Sequence, residues 1–219
     1  MRFTSKAMGL VAAIVTSAAV AGAQNVQYTT TGTFTGGQCN GTSTCTITGT
    51  NGGGPATLSF AGSGAQSVNA PVFGATLGTF SLGALPNNPN GSFSLAGITF
   101  TLTVAQTTPG SGTNSPVGSI TGSFMQMANG PTGGPILLQF TNPNFSIGQA
   151  NYQIVTGTTQ GVANSVAIRL PNGNGLANTT DLQANITANV VPEPSTYALM
   201  GTGLAGLLGM ASRRRRAVA

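Results

Sequence analysis

The chain has 219 residues, room for one domain with short appendages, and only 4% of them are charged, against about a quarter in an ordinary soluble domain. Its net charge of +5 belongs to the ends, because Arg2, Lys6 and the arginines at 213–216 flank a stretch, 24–191, whose only charges are Arg169 and Asp181. A neutral, histidine-free middle has no basic face for nucleic acid, and its single carboxylate falls short of a glycosidase pair, an activated nucleophile or a zinc or calcium cage, so no enzyme and no cofactor is expected.

The chain opens "MRFTSKAMGLVAAIVTSAAVAGAQNV". Arg2 and Lys6 form a positive n-region, residues 7–20 are an apolar run of 14, and Ala21-Gly22-Ala23 is a small-x-small cleavage site. These parts, in that order, predict a secretory signal peptide over 1–23, cut after Ala23, with the exported chain starting at Gln24. The run is shorter than the ~20 residues a permanent membrane helix needs.

From 24 to 190 the chain is rich in Thr, Ser, Gly and Asn, with apolar residues at alternate positions. "VQYTTTGTF" places Val26, Tyr28, Thr30, Gly32 and Phe34 on one face, and Phe93, Leu95, Ile98, Phe100, Leu102 and Val104 repeat the pattern. Period-2 alternation is the mark of half-buried strands. Further strands are expected at 46–50, 56–61, 76–85, 117–127, 136–141, 151–156, 165–170 and 181–190, separated by turns such as Gly52-Gly53-Gly54-Pro55 and Pro171-Asn172-Gly173. About eleven short strands with frequent turns predict an all-β fold, an antiparallel β-sandwich of jelly-roll-like arrangement. Its aromatic core is expected from Phe34, Phe60, Phe80, Phe93, Phe100, Phe124, Phe140 and Phe145. A low-complexity disordered stalk is the competing reading of this composition, and the regularly placed phenylalanines argue against it.

Cys39 and Cys45 are the only cysteines. In an exported chain a lone pair predicts a disulfide, and Asn40-Gly41 favours a tight reversal that brings two strand ends together. Arg169 and Asp181 are read as solvated charges, as a surface pair across neighbouring strands, or, as a third alternative, as ligand contacts.

The chain ends "NVVPEPSTYALMGTGLAGLLGMASRRRRAVA". Pro192 and Pro194 keep the neck around Glu193 extended and out of any helix. Residues 197–211 carry no charge over 15 positions; as a helix they reach roughly 22 Å, and Arg213, Arg214, Arg215 and Arg216 can snorkel to lengthen the span while acting as a stop-transfer signal. The expectation is one C-terminal transmembrane helix, with the body outside and the arginines in the cytoplasm.

Pro192, Glu193 and Pro194, the apolar segment, and Arg213–Arg216 together resemble the PEP-CTERM protein-sorting domain of exported proteins in Gram-negative bacteria. The resemblance implies cleavage by an exosortase, a membrane protease, transient inner-membrane anchoring, and association with extracellular polysaccharide or biofilm. "TLSFAG", "TLGTFSLGAL", "ITFTLTVAQTTP" and "TDLQANITA" are similar to the choice-of-anchor K type of β-rich surface domain, from which no site residue carries over. Three segments follow: signal peptide 1–23, surface domain 24–190, and sorting and anchor segment 191–219. The expected function is a structural protein of the bacterial surface or extracellular matrix. The alternative is a carbohydrate-binding adhesin module, for which Tyr28 and Tyr152 are the only Tyr or Trp candidates in the domain.

Overall fold

The computed structural model describes residues 23–51, 53–83, 91–127, 130–170, 178–189 and 200–207. Ala21, the sorting triplet Pro192, Glu193 and Pro194, and the arginines 213–216 lie outside them; Ala23 is exposed and directly precedes the first strand.

The strands in chain order are β1 (Gln24–Gly36), β2 (Cys39–Thr42), β3 (Thr44–Thr48), β4 (Pro55–Gly62), β5 (Gln66–Ala70), β6 (Val72–Leu82), β7 (Ser92–Ser94), β8 (Ile98–Thr108) and β9 (Gly112–Asn114). They continue with β10 (Val117–Thr121), β11 (Ser123–Met127), β12 (Gly130–Gly133), β13 (Ile136–Phe140), β14 (Asn144–Ile147), β15 (Ala150–Ile154), β16 (Gly157–Thr159), β17 (Val162–Ile168) and β18 (Asn178–Ala188). One sheet runs β16-β17-β13-β10-β8-β1-β2, with β5 beside β1 and β9 beside β8; a second runs β14-β15-β18-β6-β4-β3. A small third sheet, β12-β11-β7, carries a stacked Phe93–Phe124 pair with ring centroids 4.8 Å apart. All pairings are antiparallel.

The two large sheets face each other across an aromatic core. Phe34 and Phe100 come from β1 and β8 of one sheet, Phe60 and Phe80 from β4 and β6 of the other. Their rings meet at centroid distances of 4.8 to 6.3 Å, in tilted or edge-on geometry, the arrangement ring quadrupoles favour. Gly32 lies under this cluster: a Cβ there would sit 2.5 Å from Phe60 and 2.6 Å from Phe100. The alternating pattern of β1 therefore needs its smallest residue where the rings cross.

Seven of the eight expected core phenylalanines are buried, and Phe145 is half-buried against the same core. The chain passes between layers as it adds strands: in chain order β5, beside β1 in the first sheet, lies between β4 and β6 of the second, and β11 and β12 of the third sheet lie between β10 and β13 of the first. The strand expected over 117–127 is two strands in two sheets. Gly118, Ile120 and Phe124 are all buried, so the alternation continues unbroken while the hydrogen-bond partners change from β8 and β13 to β7 and β12.

Cys39 and Cys45 form a disulfide with Cα atoms 4.9 Å apart. It closes a corner and not the hairpin expected from Asn40-Gly41: β2 belongs to the first large sheet and β3 to the second, so the bond ties the edges of the two layers where the chain crosses between them.

Candidate functional site

The two tyrosines are interior groups, which removes them as a sugar platform. Tyr28 and Tyr152 are 2% and 1% exposed and meet edge to face with centroids 6.1 Å apart. The Tyr28 hydroxyl donates to the Thr76 carbonyl at 3.0 Å, and the Tyr152 hydroxyl donates to Gln106 Oε1 at 2.7 Å. Gln106 Nε2 in turn donates to the carbonyls of Pro109, Gly110 and Ile147 at 2.8 to 3.1 Å. The hydroxyls of Tyr28 and Tyr152 and both polar atoms of the Gln106 amide thus have partners, so burying them carries no orphan penalty. Desolvation pushes the Tyr28 phenol up to about 12, and that of Tyr152 higher still, through burial first and the neighbouring Tyr28 second. Both are neutral at physiological pH.

The outer face of β1 and β8 is a hydroxyl array. Thr31 pairs with Thr103, Thr33 with Thr101 and Thr35 with Thr99, and these side chains point away from the core because their neighbours in each strand are buried. Arg169 and Asp181 form no ion pair among the described residues. Asp181 instead accepts from the Thr79 hydroxyl at 2.9 Å, and the Arg169 backbone N–H donates to the Thr180 hydroxyl at 3.0 Å.

The opposite sheet carries a groove of about 440 Å³, which Phe73, Asn144, Asn151, Gln153, Asn185 and Thr187 help to line. Pairing of β14, β15 and β18 sets its polar groups in two cross-strand rows. Asn144, Gln153 and Asn185 make one; Ser146, Asn151 and Thr187 make the other. Neighbouring strands lie about 4.8 Å apart, so each row spans roughly twice that. The Ser146 hydroxyl donates to Asn151 Oδ1 at 2.7 Å, which holds that amide in place.

Phe73 stands beside these rows on β6 and is 78% exposed. Simple alternation puts it inside, since Ala75 and Leu77 of the same parity are buried. A β-bulge reverses it: Ala184 opposes Ala75 and Ile186 opposes Val72, so β6 holds one residue more than β18 across this interval. Gly74 adopts φ +72°, and its N–H donates to Asn185 Oδ1 at 3.1 Å, so a lining amide itself pins the backbone that turns Phe73 outward. A bulge that re-aims a side chain in this way is a recurrent feature beside binding sites. Sequence reasoning missed the groove. Its one legible signal was a glycine within an apolar strand pattern, which marks bulges.

Residues 200–207 form a helix in which every residue is exposed, including Met200, Leu204 and Leu207. Among the described residues no helix is long and apolar enough to cross a membrane; the remainder of the apolar run at 197–211 lies outside them.

No curated protein and no solved structure shows significant similarity to the chain. One family model does match, the PEP-CTERM protein-sorting motif, over residues 190–216. That interval takes in the proline-flanked Glu193, the exposed apolar helix and the four arginines. The C-terminal segment is a PEP-CTERM protein-sorting motif, recognised by the membrane protein exosortase, and it marks this β-rich chain for export to the cell surface in the manner typical of Gram-negative bacteria.

Proposed function

We propose that the protein is a non-enzymatic structural component of the bacterial surface or extracellular matrix, in contact with polysaccharide. The observation that carries this reading is the sorting motif at 190–216 trailing a disulfide-closed sandwich. Residues 1–23 serve as a cleaved signal peptide with Ala21 and Ala23 at the cut, and 24–190 are the exported body. The apolar run up to Ala211 holds the chain in the inner membrane for a time, with Arg213 to Arg216 as the stop signal. Crossing of the arginine cap is costly, so it stays cytoplasmic and leaves the neck at Pro192, Glu193 and Pro194 outside, within reach of the exosortase. The full exposure of helix 200–207, apolar side chains included, supports lipid as its surroundings. The neutral threonine face supports a role among packed glycans, where a strongly charged surface would repel its like. Nucleic acid is no partner on this reading.

The test is removal of residues 191–219 in the native host. The truncated chain is expected in the periplasm or medium, with little or none at the surface, while mass spectrometry of the intact protein finds Gln24 at the start and the arginines missing at the end. Unchanged surface delivery of the truncated form, or surface protein that retains its arginines, refutes the sorting and cleavage scheme.

A further inference from the structure

We propose that the groove on β14, β15, β18 and β6 is a binding site for a neutral glycan chain, with Phe73 as the stacking residue and the amides of Asn144, Asn151, Gln153 and Asn185 as the hydroxyl-reading groups. The inference rests on the surface-protein reading above and gives it a site.

The lining chemistry selects the ligand. None of the groove residues is charged, so nothing there compensates a phosphate, carboxylate or ammonium group removed from water. Each primary amide offers an acceptor oxygen and two donor N–H groups, which suits hydroxyls, since these both give and accept. The side chains of Asn144, Gln153 and Thr187 make no hydrogen bond to another described residue, and Asn151 keeps its N–H groups after accepting from Ser146. These groups are available to a ligand and are presented on paired strands, whose rigidity limits the ordering cost of binding.

Phe73 supplies the apolar half. A sugar ring has one face made of C–H groups, and burying it on an aromatic ring removes apolar area from water on both partners. Among the described residues of the sandwich, Phe73 is the large apolar side chain turned most fully to solvent, by a bulge that Asn185 holds in place. The same bulge turns Val72 inward, where it packs against the core. A ring at the end of two amide rows has the shape that a chain of sugar units would use: one unit stacks on the ring while the next are read along the rows.

The experiment uses the exported protein in co-sedimentation with cellulose, curdlan and cross-linked galactomannan as neutral probes and cross-linked alginate as the anionic control. Saturable binding to at least one neutral probe, weaker on alginate, is expected. Phe73→Ala is expected to weaken it about tenfold, as loss of a stacked ring would. The joint change Asn151→Ala with Gln153→Ala is expected to weaken it severalfold, and Thr46→Ala, exposed on β3 at the far edge of the same sheet, to leave it unaltered. Phe73 is mostly exposed, so its replacement leaves the fold intact, which a melting curve checks; the amide pair is a second route to the same answer. No binding to any neutral probe, equal binding to alginate, or full binding by Phe73→Ala overturns the proposal. So does self-association through Phe73, seen as a wild-type dimer that the Phe73→Ala variant lacks. Surface delivery of Phe73→Ala separates the two readings: lost glycan binding with intact delivery concerns the groove alone, whereas failed delivery of the wild type would undo the sorting scheme.

Discussion

Tyr28 and Tyr152 show how a residue's role depends on which side of a sheet it faces. An aromatic residue in a hydroxyl-rich exported domain invites a binding role, yet both phenols sit in the core and close hydrogen bonds to Thr76 and Gln106. Tyr28 was legible as inward, because it shares the alternation of Val26 and Phe34; Tyr152 was legible in the same way from Ala150 and Ile154. Phe73 was not, since its exposure depends on one inserted residue in the register with β18. The buried phenols also predict an alkaline limit to stability. Their pKa values are raised in the folded chain, so below pH about 10 both states keep the proton and the full stability is present. As pH rises past that value the unfolded phenols ionise first, and stability falls by about 1.4 kcal/mol per pH unit for each tyrosine until the folded groups titrate. For Tyr28 that window closes at about 12; for Tyr152 it extends further. Urea unfolding of the purified protein across this range should show the decline, and Tyr152→Phe should make it shallower. A flat profile would mean that the phenols are not desolvated.

Strands long enough to display their alternation were readable from the chain, and short ones were not. β1, β4, β8 and β13 lie close to their expected positions because each exposes several turns of the inside–outside pattern. β5, β9 and β16 have three to five residues, with Val68 and Ala70 the only apolar side chains among them, and take their conformation from the longer strand they pair with. The division of 117–127 between two sheets was hidden because burial keeps its phase through the break; only the partners change. The disulfide belongs to this scale as well. Its formation follows from two cysteines in an exported chain, but its position, joining the edge of one sheet to the edge of the other, depends on where β2 and β3 lie. The closed loop is short, so loop entropy assigns the bond about 2 kcal/mol. Replacing Cys39 and Cys45 together by Ser should lower the melting temperature by roughly 5–8 °C, measured by differential scanning calorimetry. A change within error would mean that backbone pairing alone holds that corner.

At the scale of the molecule the sandwich is held by apolar and hydrogen-bonding contacts with almost no electrostatic contribution. Arg169 and Asp181 are its only charges, and neither pairs with the other. Screening therefore has little to act on, and the melting temperature should shift by less than about 2 °C between dilute buffer and about 0.5 M sodium chloride. A larger shift would reveal a charge interaction of the ends with the sandwich. Amino-acid order alone determined the all-β class, the aromatic core, the cystine and the sorting segment, because each is written in local spacing: a period of two, a lone thiol pair, or a proline triplet ahead of an apolar run and arginines. Only the tertiary structure decided the division into sheets, the corner that the disulfide closes, and the groove. Those depend on which strands lie side by side and on a single-residue slip between β6 and β18. Hydrogen bonding between distant strands sets both, and nothing in the spacing within either strand records its partner.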